Sequence, residues 1–238
     1  MLGYDKRGLN NAIVLDLPFR EGVGLITHDL AKPNHLAALT GHAPTWNDVH
    51  LIGPSDLGVL QFDGATQYLE IPGADTVDLD FTGDFSLAAW IYPIYTVSPM
   101  VIMCRNTTDA RGWIMFLFDN PGLGPLLSFR TNQAGSHSEC YAAGFTASEW
   151  HLVGFNRVSA TTTATCFRNG RPVTTVGGTI ILDPVACGAA NKLLVGVQEG
   201  EVSDFYAGYM WRPRAWPRVL SESDWLSLFQ HERRWFGV

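Results

Sequence analysis

The side chains that could do chemistry in this 238-residue sequence fall into five groups, and four of them lack the spacing that chemistry requires. Glycosidic hydrolysis needs two carboxylates facing each other across the scissile bond. Glu199-Gly200-Glu201 places two acids close together, but Gly200, Ser203 and Asp204 mark the segment as a loop. A nucleophilic triad need not be contiguous, but there is no G-x-S-x-G and the histidines show no partner pattern. His28, His35, His42 and His50 recur at steps of seven, seven and eight, which would align them on a helix. They lie instead among Pro, Gly, Asn and Thr, so solvated loop histidines are expected in preference to a zinc or nickel site. Cys104, Cys140, Cys166 and Cys187 form no C-x-x-C, and free thiols in a reducing compartment are expected. No catalytic residue and no metal ligand is assigned.

The fifth group is suited to binding. Sugar recognition needs aromatic rings to stack on sugar faces, with polar side chains beside them for the hydroxyls. Segments that read as loops supply both: Trp46 with Asn47 and Asp48, Tyr92 and Tyr95, Asn106 with Asp109 and Arg111, Asn132 and Gln133, and Tyr206. The ligand-binding candidates are Trp46, Tyr92, Tyr95, Asp109, Arg111 and Tyr206. Each has a plainer reading as a loop anchor or a subunit contact. Trp216, between prolines and arginines, reads as a packed edge or a protein interface.

The elements that must carry these residues read as strands. Runs rich in β-branched and aromatic residues recur between Gly, Pro, Asn and Asp. They include Ala12–Leu17, Val59–Phe62, Tyr68–Ile71, Phe85–Tyr92, Met100–Arg105, Trp113–Phe118, Leu126–Arg130, Trp150–Val158, Thr163–Arg168, Leu193–Val197 and Phe205–Trp211. Trp113–Phe118 is apolar at every position, as a strand covered on both faces would be. Asn169-Gly170 predicts a type I′ hairpin. Only the C-terminus reads as helix, over 221–234, capped by Ser221 with Asp224 reaching back, and expected to seal one end of the sandwich. The segment 20–57 is poor in strand signals and is expected to be a long wrapping loop. With no repeat and no linker, 1–238 reads as one domain.

Composition narrows the classes of function. A formal net charge of -7, with no basic block, argues against a nucleic-acid or anionic-membrane binder. Phe85 to Cys104 is uncharged but contains Pro93 and Pro99, so it reads as two strands and a turn, and no membrane insertion is expected. Charges at Asp5, Lys6, Arg7 and Asp16 leave no apolar core for a secretory signal, which was either removed or never used.

In order and spacing the motifs resemble the laminin G-like, concanavalin A-like jelly rolls, in the form found in bacterial and phage proteins. The resemblance rests on Phe62-Asp63-Gly64 through Pro72, Gly83-Asp84-Phe85 through Trp90-Ile91, Glu149-Trp150-His151, Cys166 through Gly170, Leu194-Val195-Gly196, Phe205 through Gly208, and Arg218 through Ser221. It implies an all-β, two-sheet antiparallel jelly-roll sandwich with a short C-terminal helix. Glycosidases on this scaffold carry Glu-x-Asp-x-x-Glu on one strand, a run missing here, so hydrolysis is only a remote alternative and a non-enzyme is expected. Members of the family often hold a structural calcium between the acidic turn after the first strand, here Asp29 with Asn34, and an acid following the late glycine. After Gly208 this chain has Tyr209-Met210-Trp211-Arg212 instead, so no cofactor is expected, with calcium the lesser alternative.

The resemblance points to a non-catalytic surface module. One reading is a phage virion accessory protein, a capsid decoration or tail-associated protein with a glycan-binding role, at the virion surface or outside cells. Its partners would be other virion or surface proteins, cell-surface glycans, or further copies of itself. The alternative is a free-standing lectin-like module.

Overall fold

The structure, a computed structural model, describes residues 8–40, 43–47, 58–94, 99–178 and 181–238. In chain order its strands are β1 (Leu15–Asp16), β2 (Ile26–His28), β3 (Leu36–Thr40), β4 (Thr45–Asn47), β5 (Val59–Asp63), β6 (Tyr68–Ile71), β7 (Phe85–Pro93), β8 (Met100–Thr107), β9 (Arg111–Asn120), β10 (Gly124–Gln133), β11 (Ser136–Ala142), β12 (His151–Val158), β13 (Thr163–Arg168), β14 (Arg171–Val173), β15 (Thr175–Gly177), β16 (Leu193–Val195) and β17 (Ala207–Trp216). The helix α1 (Glu222–Glu232) follows.

One sheet runs β14-β13-β12-β7-β17-β5-β4, with β1 beside β17, and the other runs β15-β11-β10-β9-β8-β16-β6-β3-β2. The pairings are antiparallel. The two-sheet sandwich with one short C-terminal helix therefore stands as expected. Alternation along each strand sends every second side chain between the sheets. Phe85 and Phe155 from the first sheet meet Phe129 from the second, at ring-centroid distances of 5.6 and 5.1 Å.

The outer face of the first sheet is covered by the C-terminal segment. Trp225 stacks on Phe167 at 4.5 Å, and its Nε1 donates to Asn156 Oδ1 at 3.0 Å. Phe229 and Phe236 lie against Trp90 at 5.9 and 4.1 Å. The helix thus lies on a sheet face and does not seal an end. Its capping box is the expected one, with Ser221 and Asp224 exchanging hydrogen bonds. Buried Glu232 accepts from Trp90 Nε1 at 2.7 Å and from Arg212 and Arg214 at 2.8 and 2.7 Å, which locks the helix end to β7 and β17.

On the second sheet, β9 is buried on both faces, as its unbroken apolar run suggests. Trp113, Met115 and Leu117 join the main core. Ile114 and Phe116 face outward into a smaller cluster with Val101, Cys104, Leu194 and Val197. The cover here is an irregular strap, residues 196–206. It leaves β8 where Gly196 N donates to Ile102 O and returns where Val101 N donates to Asp204 O at 2.9 Å.

Segment 20–57 departs from the expected loop, because its described part contains β2, β3 and β4. The burial pattern hides them: in β2 it is Thr27 that is buried, while Ile26 is 48% exposed. β11 was also illegible, since Ser136, His137 and Ser138 are polar and only Cys140 and Ala142 are buried. Trp216, read as an edge or interface residue, is fully buried, with its Nε1 donating to Leu9 O at 2.8 Å. Trp90 and Trp150 are core residues as expected.

Candidate functional site

The outward face of β8, β9 and β10 carries polar groups beside its apolar cluster, and register explains why they meet. Cys104 and Arg130 both pair with Ile114, while Asn106 pairs with Gly112. Asn132 lies one residue beyond Thr131, the partner of Trp113. Two-residue alternation therefore places Asn106, Ile114, Phe116, Arg130 and Asn132 on one face. The strap contributes Gln198 and Asp204, the β8–β9 turn contributes Thr108, and together they enclose a cavity of about 160 Å³.

Asn106 and Asn132 are 4% and 1% exposed, and the Oδ1 atom of each accepts no hydrogen bond from the described residues. Asn132 Nδ2 is spent on Arg111 O at 3.1 Å, which fixes the amide with its oxygen unmatched. Arg130 lies over the Phe116 ring at 5.4 Å and donates through Nε and Nη2 to Glu139 at 3.0 and 2.7 Å, so its charge is answered. Burial raises the Asp204 carboxyl above its ordinary range, against the opposing pull of Arg130. Gln198 Nε2 donates to Thr108 Oγ1 at 3.2 Å, and Thr108 N donates to Glu199 Oε2 at 2.9 Å, pinning the strap to the turn. The cavity thus sets amide and carboxylate side chains beside an apolar floor, an arrangement suited to a small ligand rich in hydroxyl groups.

The expected candidates do not converge on one rim. Asn106 and Asn132 line the cavity, while Asp109 on the β8–β9 turn and Arg111 at the start of β9 do not. Asp109 Oδ1 meets His137 Nδ1 at 2.5 Å, and Arg111 donates to Ala186 O at 3.2 Å. Half-buried Trp46 donates through Nε1 to Gly24 O at 3.0 Å on a different sheet. Tyr92, also half-buried, packs edge-on against Trp150 and Tyr209 at 5.6 and 5.7 Å. Tyr206 is a correction: it is fully buried, edge-on to Phe62 at 5.8 Å with its OH donating to Tyr209 O, and offers no face to a sugar. Tyr95 and Asp48 lie outside the described residues. Arg130, Asp204, Gln198, Thr108 and Phe116 escaped sequence reading, because only strand register and the path of the strap bring them together.

The acidic turn is answered by cations internal to the chain. Asp29 Oδ1 accepts from Asp16 N and Ala31 N at 2.7 and 2.8 Å, and its Oδ2 meets His35 Nδ1 at 2.6 Å. His35 Nε2 reaches Asp78 Oδ1 at 3.2 Å. Burial alone would lower the His35 pKa, but Asp29 and Asp78 raise it to about 9. Arg212 chelates the Asp16 carboxylate through Nε and Nη2 at 2.8 and 2.9 Å. With both Asp29 oxygens engaged and an arginine standing beside the position of the second acid, these residues do not fit a calcium ion. His35 is accordingly a buried ion-pair partner and not a solvated loop histidine. His28 is exposed, paired with Glu21 at 3.1 Å, and His42 and His50 lie outside the described residues. Among the described residues, no group of three or more His, Cys, Asp or Glu is placed to hold a metal ion, and no helix is long and apolar enough to cross a membrane.

Comparison with known proteins bears on this geometry at the level of fold. No curated protein matches the chain in sequence. Among solved structures, the botulinum neurotoxin serotype D binding domain is similar, with a TM-score of 0.70 and 11% identity over 95% of this chain and 53% of that one. The serotype G binding domain gives 0.69 and 13% over 92% and 51%. A botulinum neurotoxin type C structure, reported to interact with two ganglioside molecules, gives 0.63 and 13% over 94% and 52%. The chain thus spans about half the length of these structures, and the likeness is one of fold. The family model for the concanavalin A-like lectin/glucanases superfamily matches residues 63–224. Sequence motifs, sandwich topology and this match agree, and the chain belongs to the concanavalin A-like lectin/glucanase superfamily, in its laminin G-like form.

Proposed function

We propose that the protein is a non-catalytic carbohydrate-binding module whose ligand occupies the cavity between Asn106, Asn132 and the 196–206 strap. The observation that carries this reading is the pair of buried asparagines that line one cavity, each with an amide oxygen that finds no donor among the described residues. An unmatched buried acceptor costs about 1–3 kcal/mol, and a hydroxyl-rich ligand supplies the donors. The cavity is smaller than the roughly 300–1,000 Å³ of drug-sized sites, so it takes one sugar unit. At about −0.3 kcal/mol per non-hydrogen atom, a monosaccharide gains about −4 kcal/mol, a Kd of about 1 mM. The ganglioside interaction of the type C neurotoxin supports a glycan ligand only by analogy of fold. A glycan array probed with the purified chain is expected to give saturable hits that are lost in Asn132→Ala. An array with no specific hit contradicts the proposal.

A second reading, a phage virion accessory protein working at the particle surface or outside cells, is favoured by one observation. Val23, Leu25, Ile26 and Leu36 are 76, 63, 48 and 51% exposed on and beside the edge strand β2 and its neighbour β3. Apolar groups gathered at a sheet edge suit contact with another chain. Under this reading, light scattering finds a closed oligomer that Leu25→Lys dissociates. A monomer at all concentrations contradicts it.

A further inference from the structure

A second cavity, of about 170 Å³, lies next to the first and shares Asn106 with it. The first spreads from Asn106 toward β9 and β10. The second spreads the other way, over Cys104 and Leu194 to Asn191 and Lys192. One strap walls both, with Gln198 and Asp204 on one side and Glu199, Gly200 and Glu201 on the other. Hydrogen bonds from Gln198 and to Glu199 hold that strap on Thr108, between the two cavities. Its far end is held by Tyr68 OH and Lys192 Nζ, which donate to Glu201 at 2.8 and 2.7 Å.

We infer that the two cavities are adjacent subsites for an uncharged oligosaccharide of at least two units, meeting at Asn106, and that anionic sugars are excluded. The inference rests on the glycan-binding reading and extends it to size and charge. Size follows from the shared wall, since each cavity holds one unit and Asn106 lines both. Charge follows from the lining. In the second cavity Lys192 is already bonded to Glu70 and Glu201 at 2.6 and 2.7 Å, and Glu199 adds a further carboxylate. In the first, Arg130 is committed to Glu139 while Asp204 brings its own acid. Among the described residues neither subsite has a cation to spare for a sialic or uronic carboxylate, and like charge in a half-buried groove repels one.

The test is an amide-resolved NMR titration of the full chain with glucose, galactose and N-acetylglucosamine, with cellobiose, maltose, lactose and chitobiose, and with sialyllactose and glucuronate. At least one neutral disaccharide is expected to shift Ile114 and Asn132 in the first cavity together with Asn191 and Leu194 in the second. It should bind at least tenfold more tightly than its monosaccharide, and Lys192→Ala should remove that advantage. A disaccharide that shifts only the first cavity and binds no more tightly overturns the two-subsite inference and leaves the glycan-binding reading intact. Sialyllactose binding as well as lactose overturns the charge rule. No shift with any sugar overturns the glycan-binding reading itself.

Discussion

Asn106 and Asn132 stand on the same outward face with β9 between them, and the amide oxygen of each is buried and finds no donor among the described residues. Side chains this buried are normally satisfied within the protein. Both residues line one cavity, whereas on the outer face of the other sheet the C-terminal segment covers Trp90, Trp150 and Trp211.

Binding should weaken as pH falls. The half-buried Asp204 carboxyl is raised above the ordinary carboxylate range, so it takes up its proton before the exposed acids and loses the charge that strengthens its bond from a ligand hydroxyl. Arg130 is the charged group that acts on it, and Arg130 is itself paired with Glu139. Titration of sugar affinity from neutral pH downward should show a loss that is absent in Asp204→Asn. An unchanged profile in that variant would remove Asp204 from the site.

Stability should fall on the alkaline side. The His35 pKa is raised from 6.5 to about 9, so its stabilising contribution is fully present below the unfolded value and is lost as pH rises through about 9. A shift of this size corresponds to about 3 kcal/mol. Urea unfolding is expected to give a lower midpoint at alkaline than at slightly acidic pH, and His35→Gln should flatten that slope. An equal slope in the variant would show that other groups carry it.

The helix docks because β12 has no side chain at Gly154. A Cβ there would come within 2.1 Å of Leu87 O and 2.4 Å of the Trp225 ring. Gly154→Ala is expected to cost about 1–3 kcal/mol through overpacking, and Trp225→Ala about 3–5 kcal/mol through the cavity it leaves. Thermal unfolding measures both. A neutral Gly154→Ala would mean that the helix is not seated on this strand.

All four cysteines are free and buried, and burial pushes the thiols up, Cys140 to about 12 and Cys187 to about 11. Because the thiolate is the reactive species, a disulfide-exchange reagent should label none of them in the native protein and all four in denaturant. Rapid labelling of the native protein would contradict this burial.

The fold was legible where alternation coincided with burial. Tyr68–Ile71 and Thr163–Arg168 have the bounds their residues suggest, and Ser221 with Asp224 marked the helix start. Legibility failed where exposure inverted the pattern, as at Ile26 and Thr27, or where a strand carried a polar face, as in β11. For the site, Asn106 and Asn132 were visible as polar residues beside aromatic strands, but their partnership across β9 is a matter of register. Asp204 and Gln198 come from a strap whose path no local signal records. Tyr206 misled because it stands just before β17, at the end of the strap, while its ring points into the core.

The central claim is that the Asn106 face binds sugar, and the most direct measurement is an NMR titration of the wild-type chain and Asn106→Ala with the best neutral disaccharide. The expected result is saturable shifts at Ile114, Asn132 and Leu194 in the wild type, with at least a tenfold loss of affinity in a variant that keeps its fold. Equal affinity in the two proteins, or shifts confined to Trp46 and Tyr92, would contradict it.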